Sequence, residues 1–370
     1  MNDYNGIKTK LLHANYLKDY LKNNNLLNLK YLSEKENNSI IFPIIKNFNL
    51  NNLDFDCSFV KCNFKAKIMK KTYKDLVLQI IPSELSFKFN KAYDIFGNIA
   101  IVEIESELIP YETEIAKILI ESNDKIKSVY KKSGAFEGEF RIQNYIYLAG
   151  IENELAEHCE NNVKLNFNIG DLYFSSRLSN ERKRIANLVK LNESVLIMFS
   201  GCGPYTYTIA KNSFANKIIS IEKNPKACYW ANINLDKNKL SSDFIKEKYL
   251  KKKEHFDKIK FKGPLHVENH CGDVREIIPL LKKEHDYFDR IIMPLPHIAN
   301  NFLDIALLVA KKGTMFHLYD FMDLSELENI KLKIKKECKI HGFDIEIKNI
   351  EICGEFSPNI KRICIDFLII

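Results

Sequence analysis

The stretch Val195–Asn212, VLIMFSGCGPYTYTIAKN, decides the fold class. It is an apolar strand that runs into the turn Gly201-Cys202-Gly203-Pro204 and then into a helix. Glycines at such a turn let the backbone approach a ligand closely, at the carboxyl edge of a parallel sheet. Outward from this point the alternation continues. SVLIMF (Ser194–Phe199), KIISIE (Lys217–Glu222), LHVENHCGD (Leu265–Asp273), DRIIMPLP (Asp289–Pro296) and GTMFHLYDF (Gly313–Phe321) are five strand candidates with helical stretches between them. That is the pattern of a parallel sheet covered on both faces. FDIEIKNIEIC and KRICIDFLII then read as a closing antiparallel pair at the sheet edge. The expected class is α/β, with a Rossmann-like domain over residues 161–370 whose sheet is mostly parallel with an antiparallel edge strand.

The first part of the chain has a different rhythm. Apolar residues recur at helical spacing from Ile7 to about Leu26, and NSIIFPI reads as a strand ending at Ile44. LVLQIIP, YDIFGNIAIVEI and SVYKKSGAFEGEF read as strands around the amphipathic segment ETEIAKILIESN. Two small α+β domains are expected, over residues 1–68 and 69–160.

Composition excludes several classes. A hydrophobic fraction of 46% and a charged fraction of 28% are those of a folded globular chain. Lys plus Arg at 55 against Asp plus Glu at 48 gives +7, which suits a polyanionic partner. No apolar run reaches the roughly 18 residues of a bilayer span, and MNDYNGIKTK lacks the order of a signal peptide, so a cytoplasmic chain with no membrane partner is expected. The nine cysteines contain no C-x-x-C pair, which signals reduced thiols and no metal site.

At the glycine turn, Glu222 ends the next strand, where a carboxylate can accept both ribose hydroxyl protons. A dinucleotide enzyme would share this arrangement, but Thr206 stands where the third glycine of G-x-G-x-x-G belongs. A diphosphate needs that close helix approach more than the methionyl tail of S-adenosylmethionine does. Asp273 ends the third strand, placed for an adenine amino group or, alternatively, as the N-cap of the following helix. S-adenosylmethionine is therefore the expected cofactor.

YDIFGNIAIVEI, GEFRIQNYIYLAG, LYFSSRLSNERKRIANLV, MFSGCGP and DRIIMPLP, in that order, resemble the blocks of the archaeal and eukaryotic tRNA (guanine-37 N1)-methyltransferases and their wyosine-pathway relatives. The likeness extends to KTKLLHANYLKDYLKNNNLL, which resembles the family's small first domain that reaches toward the tRNA elbow. The resemblance implies a class I methyltransferase domain, a tRNA partner read at position 37 of the anticodon loop, and roles for particular residues. Glu181 would be the general base, Arg141 would contact the target base, and Tyr173 and Arg177 would face tRNA. Arg182, Phe199, Gly201, Gly203, Glu222, Lys223, Asp273, Val274 and Pro296 would line the cofactor. Guanine N1 carries a proton at neutral pH, so a positioned carboxylate makes chemical sense, as does a guanidinium near the charge that develops on O6.

One departure bears on the product. The family's Asn-Leu-Pro appears here as Pro294-Leu295-Pro296. Substitution there resembles the archaeal wyosine branch, whose members methylate C7 of imG-14 in tRNA-Phe, so Pro294 is counted among the catalytic positions and both products are expected. Aminocarboxypropyl transfer from the same cofactor ranks below these, because Arg177, Glu181 and Arg182 are all present. A non-catalytic RNA-binding module is the remaining alternative, and a monomer is expected.

Overall fold

Alternating burial, not helical spacing, governs the first residues of the chain. The computed structural model describes residues 5–66, 71–240, 265–284, 287–295, 299–355, 357 and 359–370. They fall in two compact units, Met1–Asp75 and Leu76–Ile370. In the first, β1 (Gly6–Lys10) buries Ile7 and Thr9, and α1 (Ala14–Asn23) buries Leu17 and Leu21 one turn apart. β2 (Glu34–Glu36), β3 (Ser39–Pro43) and β4 (Cys57–Val60) complete a sheet of order β2-β3-β1-β4, antiparallel throughout. The helix expected from Ile7 thus begins only at Ala14, because residues 6–10 pair with two strands at once.

LVLQIIP is not a strand. Thr72 and Asp75 exchange side-chain hydrogen bonds as an N-terminal capping pair, and α2 (Tyr73–Val77) follows. The N–H groups of Gln79 and Ile80 then donate to the carbonyls of Leu76 and Val77, leaving no donors for a sheet.

Next come β5 (Tyr93–Phe96), β6 (Ile99–Val102), α3 (Glu112–Ser122), β7 (Ser128–Glu137) and β8 (Ile142–Gly150), a sheet of order β5-β6-β7-β8. α3 makes the crossover between the parallel neighbours β6 and β7. A hairpin of β9 (Leu155–Glu160) and β10 (Val163–Asn168) turns at Asn161-Asn162, both with positive φ, as two-residue hairpins require. Phe96, Ile99, Ile101 and Tyr130 of the small sheet share one apolar cluster with Phe167, Val195 and Ile197.

The remainder alternates as expected: α4 (Ser179–Leu188), β11 (Ser194–Met198), α5 (Pro204–Asn212), β12 (Lys217–Glu222), α6 (Pro225–Lys237), β13 (His266–Cys271), α7 (Val274–Glu284), β14 (Arg290–Met293), α8 (Leu303–Leu307), β15 (Met315–Asp323), α9 (Leu327–Ile340), β16 (Ile345–Glu355) and β17 (Ile360–Ile369). The seven strands run β13-β12-β11-β14-β15-β17-β16. Five are parallel, while β17 inserts antiparallel between β15 and β16. The order reverses at β11, so the crevice for a ligand opens at its carboxyl end. Among the described residues no helix is long and apolar enough to cross a membrane.

Candidate active site

The glycine turn leaves β11 through Phe199, held at a left-handed φ of 55°, and continues through Gly201 at 57° and Gly203 at 88°. A Cβ on Gly203 would come within 2.2 Å of the Tyr207 ring, so only glycine lets the turn pack on its own helix. A Cβ on Gly201 would meet nothing within 4 Å, which leaves open space beside its backbone. Gly201 N–H donates to Glu222 Oε2 and Asn224 N–H to Oε1, both at 2.8 Å. These bonds fix the carboxylate beside the turn while each oxygen keeps a lone pair for another donor. Burial pushes the Glu222 carboxyl up from its ordinary value.

Asp273 caps α7 by accepting the Arg275 N–H at 2.8 Å, as the N-cap alternative expected, and Lys223 Nζ lies 3.0 Å from its second oxygen. That backbone bond, with Lys223 beside it, holds the Asp273 carboxyl below the usual range. Lys223 also reaches Glu139 Oε1 at 2.6 Å. Glu139 sits on the β7–β8 turn with Arg141, whose own φ is 51° and whose N–H donates to Gly138 O. One ammonium therefore ties the turn carrying Arg141 to the end of β13. Val274 is buried at the start of α7, and Phe199 packs edge-on against Phe302 at 5.0 Å. Pro294 is half-buried just beyond β14, and Pro296 lies outside the described residues.

The Tyr173–Arg182 block divides into an exposed and a buried part. Tyr173 Oη accepts from Arg362 Nη2 at 2.8 Å, and the Arg362 guanidinium covers the Phe321 ring at 4.6 Å. Arg177 is mostly exposed and reaches back to Asp94 on β5 at 2.6 Å. Arg182 is buried: its fork grips Glu160 at 2.5 and 2.6 Å, and Nη2 also donates to Ser175 O at 3.0 Å. Burial opposes charge on Glu160, but the bonds from His158 and Arg182 overcome it and lower its carboxyl. These contacts make Arg182 a brace between β9 and the segment before α4.

Glu181 is also buried, and three hydrogen bonds hold it. Arg184, one turn along α4, donates from Nε to Oε2 and from Nη2 to Oε1, each at 2.7 Å, and the Tyr319 hydroxyl donates to Oε1 at 2.6 Å. Arg184 Nη1 also donates to Asp366 Oδ2 at 2.6 Å, and Asp366 Oδ1 faces His317 Nδ1 at 2.6 Å. Beyond the ring, His317 Nε2 meets Arg290 Nη1 at 2.5 Å, and Arg290 pairs with Glu193 at 2.8 Å. Burial disfavours the charged forms of both Asp366 and His317. Their bond and Arg184 nevertheless hold Asp366 far below the carboxylate range, whereas His317 stays lowered and neutral. His317, Cys364 and Asp366 bring three donor types within 4.8 Å. Arg184 and Arg290 flank them and already supply the positive charge a cation would bring.

Two family models match this chain: the TRM5/TYW2 methyltransferase domain over residues 156–260 and the TYW2 N-terminal domain over residues 73–154. The tRNA (guanine(37)-N(1))/4-demethylwyosine(37)-methyltransferase Taw22 of Nanoarchaeum equitans is 32% identical over 308 residues, which cover 75% of this chain and 100% of that protein. The chain belongs to the TRM5/TYW2 methyltransferase family. Within that family it is also similar to the tRNA (guanine(37)-N(1))-methyltransferase Trm5b of Pyrococcus abyssi, 28% identical over 91% of this chain and 90% of that one. The structure of a complex of aTrm5 and tRNALeu aligns with a TM-score of 0.65 at 28% identity, covering 99% of this chain and 100% of that chain.

In this TRM5/TYW2 member, reading the sequence missed Arg184, His317, Tyr319 and Asp366. Only His317 and Tyr319 are close in sequence, two apart on β15, while Arg184 and Asp366 come from α4 and β17. A usable signal was present in MFHLYDF and ICIDFLI, where single polar residues interrupt strands that are otherwise apolar and buried.

Proposed function

We propose that this chain transfers a methyl group from S-adenosylmethionine to N1 of guanosine 37 in tRNA and to C7 of imG-14 in tRNA-Phe, acting as a monomer. The observation that carries the reading is the match along the whole of Taw22, whose name joins both activities, to a chain with a fixed Glu222 carboxylate beside an open glycine turn. The residues fit the cofactor. Glu222 offers lone pairs to ribose hydroxyls, Asp273 is assigned to the adenine edge, and Gly201 and Gly203 leave room for backbone contact, with Phe199 and Val274 assigned to the same pocket. When bound, S-adenosylmethionine supplies an electrophilic methyl group on a sulfonium.

The chain's own residues do the rest. Glu181 accepts the proton that leaves guanine N1, and Arg141 stabilises the charge that moves toward O6. Tyr173 and Arg177 bear on the tRNA side, where an aromatic and a guanidinium plane can hold a base turned out of its stack. Lys223 keeps the Arg141 turn near the adenine end through Glu139 and Asp273, and Arg182 braces the segment that presents Glu181. The first 68 residues dock the tRNA elbow. Titration of S-adenosylmethionine into the protein, followed by nucleoside mass spectrometry of tRNA treated with both, tests the reading. Absence of cofactor binding would make the chain an RNA-binding module instead.

A further inference from the structure

Strands β15 and β17 set their residues face to face in rungs: His317 opposite Asp366, Tyr319 opposite Cys364, and Phe321 opposite Arg362. Alternate residues of a strand share one face, so the three rungs form a ladder on one side of the sheet. The ladder starts deep, where His317 and Tyr319 are buried and Tyr319 meets Glu181. Phe321 and Arg362 form the rung nearest the carboxyl end of β15, the end at which a sheet of this kind takes its ligand. There the Arg362 guanidinium covers the Phe321 ring at 4.6 Å, and Nη2 donates to the Tyr173 hydroxyl oxygen at 2.8 Å. On the other side β16 sets Gly354 opposite Arg362, which brings no side chain to the rung.

Three other arginines of this half grip acids: Arg182 holds Glu160, Arg184 holds Glu181 and Asp366, and Arg290 holds Glu193. Arg362 has no carboxylate at ion-pair distance among the described residues; it meets a phenol and a ring, and its Nε is enclosed without a hydrogen-bond partner there. A guanidinium laid over a ring and bonded to a phenol fixes a direction more than it neutralises a charge. The residues after Tyr173 are anchored elsewhere. Phe174 packs on Phe96 and Phe167, and Ser175 O is held by Arg182. Those contacts fix the backbone but not the Tyr173 ring, which is 39% exposed, and Arg362 reaches the far end of that ring.

We infer that Arg362 is a positioning residue for the tRNA side of the site: it ties the Tyr173 ring to the outer rung of the β15–β17 ladder, so that the base turned out of position 37 meets a plane already in place. This rests on Tyr173 facing tRNA. A ring ordered before the base arrives need not be ordered during binding, and the gain appears in the transfer step, where geometry decides the rate.

The test is single-turnover methyl transfer to tRNA carrying guanosine 37, with tRNA and cofactor affinities measured alongside, for the wild type, Arg362→Ala, Arg362→Lys, Tyr173→Phe, Tyr173→Ala, and Arg362→Ala combined with Tyr173→Phe. Arg362→Ala should lower the rate at saturating tRNA about fivefold or more, with tRNA affinity changed by about threefold at most and cofactor affinity by about twofold at most. Tyr173→Phe keeps the ring and removes the acceptor, so it should show the same loss, and it carries the test if Arg362→Ala does not fold. The combined variant should be no slower than the slower single one, because both act through one bond. Arg362→Lys retains the charge without the planar fork and should recover little of the rate. A wild-type rate in Arg362→Ala or Tyr173→Phe, additive losses, full recovery in Arg362→Lys, or a parallel loss of cofactor affinity would each overturn the inference. A wild-type rate in Tyr173→Ala would overturn it too, by taking Tyr173 off the tRNA side, and would leave the methyl transfer standing. A wild type that binds the cofactor but leaves guanosine 37 unmodified would overturn the proposed function, and this inference with it.

Discussion

The Tyr319 hydroxyl, on β15, donates a 2.6 Å hydrogen bond to Glu181 Oε1 on α4. The two residues are far apart in sequence, and both are buried. The bond occupies a lone pair on the oxygen that Arg184 Nη2 also reaches, and so fixes the direction in which the remaining lone pairs point. Tyr319→Phe keeps the ring and removes only this donor. Hydrogen bonds to charged groups contribute about 1.5–3 kcal/mol, so the single-turnover rate should fall about tenfold with cofactor affinity unchanged. An equal loss of cofactor binding would mark Tyr319 as part of the cradle instead.

Glu222 and Asp273 are the proposed cofactor carboxylates, one beside the glycine turn and the other capping α7. Replacing either with alanine should weaken S-adenosylmethionine binding about tenfold or more, as loss of about 1.4 kcal/mol does, measured by calorimetric titration. Glu222→Ala should have the larger effect. Its carboxylate also satisfies the Gly201 and Asn224 N–H groups, and their loss would loosen the turn itself. Unchanged affinity in both variants would move the cofactor elsewhere.

Acid should unfold this protein through the buried pair His317 and Asp366. His317 has a folded value below its ordinary 6.5, so the unfolded chain binds the extra proton first and stability falls as pH drops below about 6.5. Asp366 is likewise lowered from 3.8, so a second loss sets in below about pH 4. Thermal melts from pH 8 to 3 should show both steps in the wild type. In His317→Gln the first should be diminished; a wild-type profile there would place the acid sensitivity in other groups.

The fold was legible where periodicity is strong. The five parallel strands and the closing pair announced themselves through apolar runs broken by helical spacing, because strands covered on both faces must be apolar throughout. The first unit was harder. Ile7 and Thr9 alternate over too few residues to outweigh the helical pattern that follows, and only pairing with β3 and β4 makes them a strand. The turn at Gly201 and Gly203 beside Glu222 was legible as backbone geometry, because glycine accepts the left-handed conformations it needs and the strand-end carboxylate meets its N–H. The long-range partners were not, because Tyr319 reaches Glu181, and Asp366 reaches Arg184, only in the folded chain.

Pro294 is the residue proposed to separate the two products. It carries neither a polar side chain nor a backbone donor at the end of β14, so it offers guanine's amino and imino groups no partner and leaves an apolar wall for a larger tricycle. Pro294→Asn should depress methylation of imG-14 more than that of guanosine 37, by roughly the 10-fold or more that one unpaired polar group costs. Equal effects on the two substrates would make Pro294 a local variant without a part in selection.

The most direct measurement supplies the wild-type enzyme and S-adenosylmethionine with two tRNA-Phe substrates, one carrying guanosine and the other imG-14 at position 37, and identifies the methylated nucleosides by mass spectrometry. A methyl group on N1 of guanosine 37 and on C7 of imG-14 is the expected result. Methylation of guanosine alone would contradict the second activity, and a guanosine 37 left unmodified by an enzyme that binds the cofactor would contradict the account at its centre.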